Sequence, residues 1–524
     1  MVLYNTAAPF FGAPPDWLNA TDARRLAAYE FYKALYKNDN TTYKVDLRGD
    51  EENPLYVPAA KRIVKTMARY VCKGLGFTPV IDPLFTVADD QQAAMITAYG
   101  NLFKREEFFA NFRDALEMGI AQGDFCLYVS GDVAKPEGSR ITLRFIDPGT
   151  YFPMTDPMDA QRVVGQQMVE RVFLNASLQA RMPDSTTEYL RRQRWLKVTS
   201  PLHPGYVEPP GVPNYETPIQ YESVIMNTRD WEDPAKAEIV RVDFPLAELP
   251  GITQLPIYHF VNKGETGELM GVSELEGFER LVMGVNQAIT DEDVALAMQG
   301  LGMYVTDQVP VNADGERTDW VLGPRRVVEV SANGTFTRVG GVEKITAYQD
   351  HIGYLQDQAE STAGISDVAL GQVDTSVADS GIALALRFGP LLDEAERKDD
   401  RVIPKLNQFS YDLRQWFAVY EGTQFPDGLT IEFEAGDKLP QDRDKLLATY
   451  QDLFVNGVLT MRLYIEKLNE LGFNLGDPAK LIAEQEADAQ KSLERQQAMM
   501  AADPTAEDGN RLDAEAEAPD DAEV

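Results

Sequence analysis

Histidine and cysteine are scarce in this chain: three and two residues among 524. Cys72 and Cys126 stand far apart and without metal-ligand spacing, which excludes a disulfide framework and fits maturation in a reducing compartment. No Gly-x-x-x-x-Gly-Lys-Ser/Thr phosphate loop, Gly-x-Ser-x-Gly elbow or His-Glu-x-x-His helix occurs. His203 falls in a proline-rich loop, His259 in an apolar strand that favours a satisfied core role, and His351 on the solvent side of a helix. No apolar stretch approaches the roughly 20 residues that span a bilayer. The opening Met1-Val-Leu-Tyr-Asn-Thr lacks a basic region followed by an apolar one, so neither a secretory leader nor membrane contact is expected. Basic residues are outnumbered, 49 against 83 acidic, for a net charge of −34. A field of that sign repels phosphate polymers, although solubility or a salt-adapted host explains it more simply.

Hydrophobic content of 44% and charged content of 25% are ordinary for a globular protein, and the length allows several domains. Helix is predicted within 1–40 around Leu26, Tyr29, Phe31 and Leu35, at Tyr56–Cys72 with Pro58 in its first turn, and as two helices over Gln91–Met118. From Asp124 the period changes to that of strands, at Phe125–Ser130, Arg140–Ile146, Arg162–Leu174, Tyr189–Val198 and Glu238–Asp243. Six prolines within 199–218 predict a loop. The fold class expected is therefore α+β.

A helix is predicted from Ser273 to about Gln299, with Ser273 and Glu276 at capping-box spacing. Short strands follow to Lys344, and Asn333-Gly334 between Val327–Val330 and Phe336–Val339 is a hairpin signal. Ile345, Tyr348, Ile352, Leu355, Ala359 and Thr362 then mark one seam of a helix that packs against another. After the polar loop Gly364–Asp379, a second helix runs from Ser380 through Leu386, Leu391, Ala395, Val402, Leu406, Phe409, Leu413 and Trp416. Pro390 and Pro404 are expected to interrupt it, since each removes a backbone donor and crowds the carbonyl four residues back. One strand, Leu429–Glu434, precedes helices over 441–499. Residues 501–524 carry nine acids, one arginine and no core formers, and are expected to be disordered.

Groups that would carry chemistry are few. Asp291/Glu292/Asp293, Asp393/Glu394/Glu396 and Asp399/Asp400 could act as metal or acid–base groups, but they are read as solvated helix faces. Asn312-Ala-Asp-Gly-Glu316 lacks the ligand spacing of a calcium loop and reads as a turn. Arg191, Arg192, Arg194 and Lys197, interleaved with Tyr189 and Trp195, suit phosphate contact with stacking, one polar strand edge, or a subunit contact with an acidic neighbour, and the net charge favours the subunit contact. Arg325 and Arg326 carry the same ambiguity.

Tyr56–Gly74, Gly119–Val129 with Ile146–Pro153, Gly271–Leu281 with Val285-Asn286, Asp379–Leu386, and Asn456–Thr460 with Leu471-Gly472 occur in an order that resembles the portal proteins of tailed bacteriophages, over roughly residues 56–495. Residues 1–50 and 199–222 have no counterpart in that pattern. The resemblance implies an α+β portal-type ring subunit: a wing over 1–272, stem helices at 273–299 and 345–363, and a small β-containing clip at 300–344. It further implies a tunnel loop at 364–381, a long kinked helix returning to the wing over 382–438, a helical crown at 439–499 and an acidic tail at 500–524. Gln372, Asp374, Thr375, Ser376 and Asp379 would line the DNA channel, and Trp320, Arg325, Arg326, Asn333 and Gly334 would sit in the clip, where motor and neck proteins dock.

The function so implied is non-enzymatic: a dodecameric ring at one capsid vertex, through which double-stranded DNA is packaged and ejected. Its partners would be the terminase motor, the major capsid protein and scaffold, and head–tail adaptor proteins. It would assemble in the host cytoplasm and reside in the virion, with no catalytic residue, cofactor or metal. Two other readings stay open: another virion component such as a head-completion protein, and a metal-dependent hydrolase built on the acidic pairs.

Overall fold

The structure is a computed structural model. It describes residues 20–39, 45, 54–156, 158–173, 188–197, 219–227, 239–301, 303–307, 309, 316–317, 333–339, 346–366, 369–370, 381–438, 443–473 and 475–502. The chain is a mixed helix-and-strand protein, as an α+β fold requires, and it divides into two compact units, Met1–Lys438 and Leu439–Val524.

In the first unit the described helices are α1 (Ala20–Lys37), α2 (Ala59–Ala68), α3 (Asp89–Arg105), α4 (Phe108–Gln122), α5 (Glu279–Leu301), α6 (Thr346–Thr362) and α7 (Gly381–Trp416). The strands are β1 (Gly76–Ile81), β2 (Asp124–Gly131), β3 (Ile141–Ile146), β4 (Tyr151–Asp156), β5 (Asp159–Phe173), β6 (Glu188–Lys197), β7 (Ile219–Asn227), β8 (Ile239–Glu248) and β9 (Ile257–Val261). The short β10 (Lys263–Gly264) and β11 (Gly271–Val272) follow, then β12 (Met303–Thr306), β13 (Phe336–Val339) and β14 (Leu429–Glu434).

Every pairing among these strands is antiparallel. β4 to β8 form a five-stranded meander, β3-β2-β9 a three-stranded sheet, and β1-β14, β10-β11 and β12-β13 two-stranded ribbons. Helix α1 lays Leu26 on the meander, where it meets Phe152, Val169, Leu190, Val224 and Met226 in one buried cluster. The second core is aromatic. Phe103 and Phe108 stack at 4.7 Å, and Phe108 lies 5.8 Å from Phe409 of α7 and 5.8 Å from Phe433 of β14. Helix α4 thereby joins the sheet beneath it to the long helix.

Helix α4 stops at Gly123, whose φ of +116° closes the helix in the left-handed region that glycine enters without steric cost. The same turn brings Gly271 so close that a Cβ there would meet the Gly123 carbonyl oxygen at 2.2 Å. Helix α7 is continuous over 36 residues, about 54 Å at 1.5 Å per residue. Pro390 and Pro404 both lie inside this one helix, which passes through them without a break. Seven of the eight apolar positions named for this helix are buried, the exception being Leu386, which is 74% exposed.

The expected helix start at Ser273 is also corrected. Residues 274–278 form turns and α5 begins at Glu279, because Gly277 sits at φ +87°, outside the right-handed helical region; the Ser273 hydroxyl accepts from Leu275 N at 2.9 Å and donates to Ala121 O at 2.5 Å. The second unit holds α8 (Arg443–Val455), α9 (Met461–Glu470) and α10 (Pro478–Ala502). Phe454 and Tyr464 stack at 4.6 Å across α8 and α9, and the Thr460 hydroxyl caps α9 by accepting from Leu463 N. Among the described residues no helix is long and apolar enough to cross a membrane.

Candidate functional site

Helices α5 and α6 run as an antiparallel hairpin, with Leu355 of α6 against Gly284 of α5. The seam read from sequence is the less exposed side of α6: Tyr348, Ile352 and Leu355 are half-buried and Ala359 buried, while Thr362 is exposed. At its far end the hairpin carries the ribbon β12-β13, where Thr306 faces Phe336 and Asp307 Oδ1 accepts from Thr335 N at 2.7 Å. The described partner of Phe336–Val339 is therefore Met303–Thr306; Val327–Val330, expected beside it, lie outside the described residues. Of the clip positions, Asn333 is an exposed turn residue and Gly334 is half-buried just before β13. Trp320, Arg325, Arg326 and all five channel-loop positions, Gln372, Asp374, Thr375, Ser376 and Asp379, lie outside the described residues.

What the structure describes closely is how the hairpin is fixed at its base. Asn286 and Thr290, both buried on α5, hold the extended segment that leads into α2: Asn286 Oδ1 accepts from Val57 N at 2.7 Å and Thr290 Oγ1 from Leu55 N at 3.0 Å. Glu360, near the end of α6, pairs with Arg62 of α2. Helix α6 then closes on Gly364 at φ +68°, where Ile365 N bonds back to Glu360 O and a glycine Cβ would touch Pro390 of α7 at 3.4 Å. An open pocket of 550 Å³ lies at this junction, between Glu360–Ser366 and Arg387.

The long helix is tied in by charge. Lys398 Nζ donates to Glu274 Oε2 and to Asn262 Oδ1, each at 2.7 Å, and Lys263 Nζ reaches Glu274 Oε1 at 2.9 Å. Burial pushes the Glu274 carboxyl up, but Lys398 and Lys263 outweigh it and hold the group below its ordinary value. Burial lowers Lys398, and Glu274 only partly offsets that. One residue on, Asp399 accepts from Cys72 N at 2.7 Å and pairs with Lys438 at 2.6 Å. The expectation that Asp399 lies on a solvated face is thus overturned, while Asp400 is exposed as expected.

A second buried centre holds α1 to the three-stranded sheet. Asp124, fully buried, accepts from the Tyr29 hydroxyl, from Gly271 N at 2.8 Å, and lies 2.7 Å from His259 Nε2. Burial and the Asp124 carboxylate together drive the Tyr29 hydroxyl well above its ordinary pKa. His259 is the satisfied core histidine expected, and His351 is exposed. In the meander, Arg191 pairs with Glu170 at 2.9 Å, and Arg192 and Arg194 pair with Glu222 at 3.6 and 3.0 Å. These arginines find acidic partners within their own sheet, on β5 and β7. Sequence reasoning missed Asp124, Glu274 and Lys398; Lys398 stands within the charged run Asp393–Arg401 and Glu274 beside Ser273 and Glu276, so neither carries a local signal of burial.

Among the described residues no three His, Cys, Asp or Glu side chains come together to hold a metal ion. No protein-family model matches the chain, and no curated protein matches it.

Proposed function

We propose that this chain is a ring-forming portal subunit that guides double-stranded DNA into and out of a viral capsid at one vertex. The observation that carries the reading is an order of parts: a helix, a small strand ribbon, an antiparallel return helix and then a 36-residue helix. On this reading α5 and α6 are the stem and β12-β13 belongs to the clip. Residues 364–381 make the tunnel loop, α7 the helix behind it, and α8 to α10 the crown. The antiparallel sheets of the first unit, with the helices packed on them, form the wing.

Cyclic symmetry requires heterologous interfaces, in which each subunit offers one surface to a different one on its neighbour. Twelve copies at −34 each give a wall that repels phosphate, and DNA must slide without lasting contacts. The channel loop, with no Lys or Arg from Gly364 to Ser380, suits a loose collar around DNA. The subunit acts by position alone, offering its clip to the packaging motor and later to neck proteins.

Native mass spectrometry with end-on negative-stain averages tests the reading. The expected particle is a ring of twelve 58.5 kDa chains, about 700 kDa, with a central hole. A monomer or dimer that persists with capsid and scaffold proteins present overturns it.

A further inference from the structure

The three-stranded sheet ends on β3, and that edge is only partly closed. The outward carbonyl of Ile141 accepts from Arg105 Nη2, and the outward amide of Leu143 donates to Glu106 Oε2 at 3.2 Å. Alternation along a strand places the next outward amide and carbonyl at Phe145, where no described strand lies beside them. An open groove of 440 Å³ runs past this edge, between Leu143 and Phe145 on one side and Asn111, Ala115, Met118 and Gln122 of α4 on the other. At its end sits Gln122, 2% exposed, with neither its Nε2 nor its Oε1 hydrogen-bonded. A buried carboxamide with no partner costs free energy unless something arrives to bond it.

From Asn111 to Gln122 a helix rises about 16 Å at 1.5 Å per residue, the length of about five strand residues. A strand laid there would continue the β3-β2-β9 sheet beneath α4, pairing with Phe145 and bringing backbone or side-chain polar groups to Gln122.

We propose that this groove receives β8 from a second copy of the chain. β8 is the outer strand of the meander, and its Ile239, Val242, Phe244 and Leu246 are 52, 51, 38 and 37% exposed, an apolar edge of the kind that invites pairing. The apolar groove wall of Ala115, Met118 and Leu143 suits such a strand. Because β3 and β8 are different surfaces, the contact is head-to-tail and propagates around a ring; the inference therefore rests on the ring reading above.

Hydrogen exchange at the Phe145 amide of the full chain, followed across concentrations spanning monomer and assembly, tests it. The amide should exchange at least tenfold more slowly in the assembly than in the monomer. Gln122→Leu should leave the monomer's melting temperature unchanged or raised, while weakening assembly at least tenfold. Arg144→Cys combined in turn with Ile239→Cys, Val242→Cys or Phe244→Cys should give intermolecular disulfides, with native Cys72 and Cys126 buried as a quiet background. A ring whose Phe145 amide exchanges as fast as the monomer's overturns the inference and leaves the ring reading standing. Protection already complete in the monomer also overturns it, as does protection without any cross-link to β8. Failure to assemble at any concentration removes the ring reading itself.

Discussion

Lys398 Nζ lies 2.7 Å from Glu274 Oε2, and both residues are only 2% exposed. The pair joins the middle of the 36-residue helix to the turn that introduces the hairpin, so the two parts on which the proposed channel depends share one buried anchor. With Asn262 on Lys398 and Lys263 on Glu274, the ions are well bonded, and that makes the loss of either one costly.

Lys398→Met should therefore lower stability by roughly 3–5 kcal/mol, because it leaves Glu274 buried against Lys263 alone. Adding Glu274→Gln should recover part of the loss by removing the unpaired charge. Urea unfolding followed by tryptophan fluorescence reads both variants; a single variant within about 1 kcal/mol of wild type contradicts the anchor.

Gly271→Ala sets a Cβ against the Gly123 carbonyl at 2.2 Å and crowds Asp124 Oδ1 at 2.9 Å. The backbone must shift, and with it the amide that serves Asp124. Gly138→Ala, at φ +78° with nothing within 4 Å, carries only the conformational penalty of about 1 kcal/mol. The expected order is a clear fall in melting temperature for Gly271→Ala and a small one for Gly138→Ala. Equal falls would mean that the close approach of the two glycine turns is unimportant.

Asp412 carries a pH prediction. Burial lifts its carboxyl to about 6, against the opposing effects of the Tyr258 hydroxyl at 3.0 Å and of Lys197 and Lys405. The folded value lies above the unfolded one near 3.9, so the fold binds the proton more tightly. The group's contribution is complete below about pH 4 and is lost as pH rises through about 6. Asp412→Asn has no such dependence. Relative to that variant, wild type should gain up to about 3 kcal/mol on going from pH 7 to pH 4. Paired denaturation curves at the two pH values with no change in the difference would refute it.

The elements most legible in the sequence were those with long apolar periods. The α7 stripe from Leu391 to Trp416 is buried as read, and the split of Gln91–Met118 into two helices agrees with α3 and α4. Short or displaced elements were harder. β1 and β7 went unread, since a six-residue edge partner and a strand adjoining a proline-rich stretch leave little local pattern. Ser273 misled because Gly277, four residues on, adopts φ +87° and keeps 274–278 in turns, a backbone choice that capping-box spacing does not reveal. The buried charges Asp124, Glu274, Lys398 and Asp399 were illegible because composition makes a charge look solvated until tertiary partners 95 to 327 residues away are known. The positions assigned to the channel loop rest on the order of parts alone.

That loop gives the most direct test of the proposed function. From Gly364 to Ser380 it carries acids and hydroxyls but no cation, in keeping with loose steric contact on passing DNA. Thr375→Lys with Ser376→Lys adds two cations per subunit around the collar. Each phosphate that a lysine neutralises adds affinity and hence friction, so packaging by a reconstituted motor should slow. Because that affinity comes from counterion release, the defect should shrink as salt rises from about 50 to 200 mM. Thr375→Asn with Ser376→Asn, similar in bulk but uncharged, should package at the wild-type rate. Lysine variants that package normally at low salt would rule out the collar, and slowing that ignores salt would point to altered loop packing instead of phosphate contact.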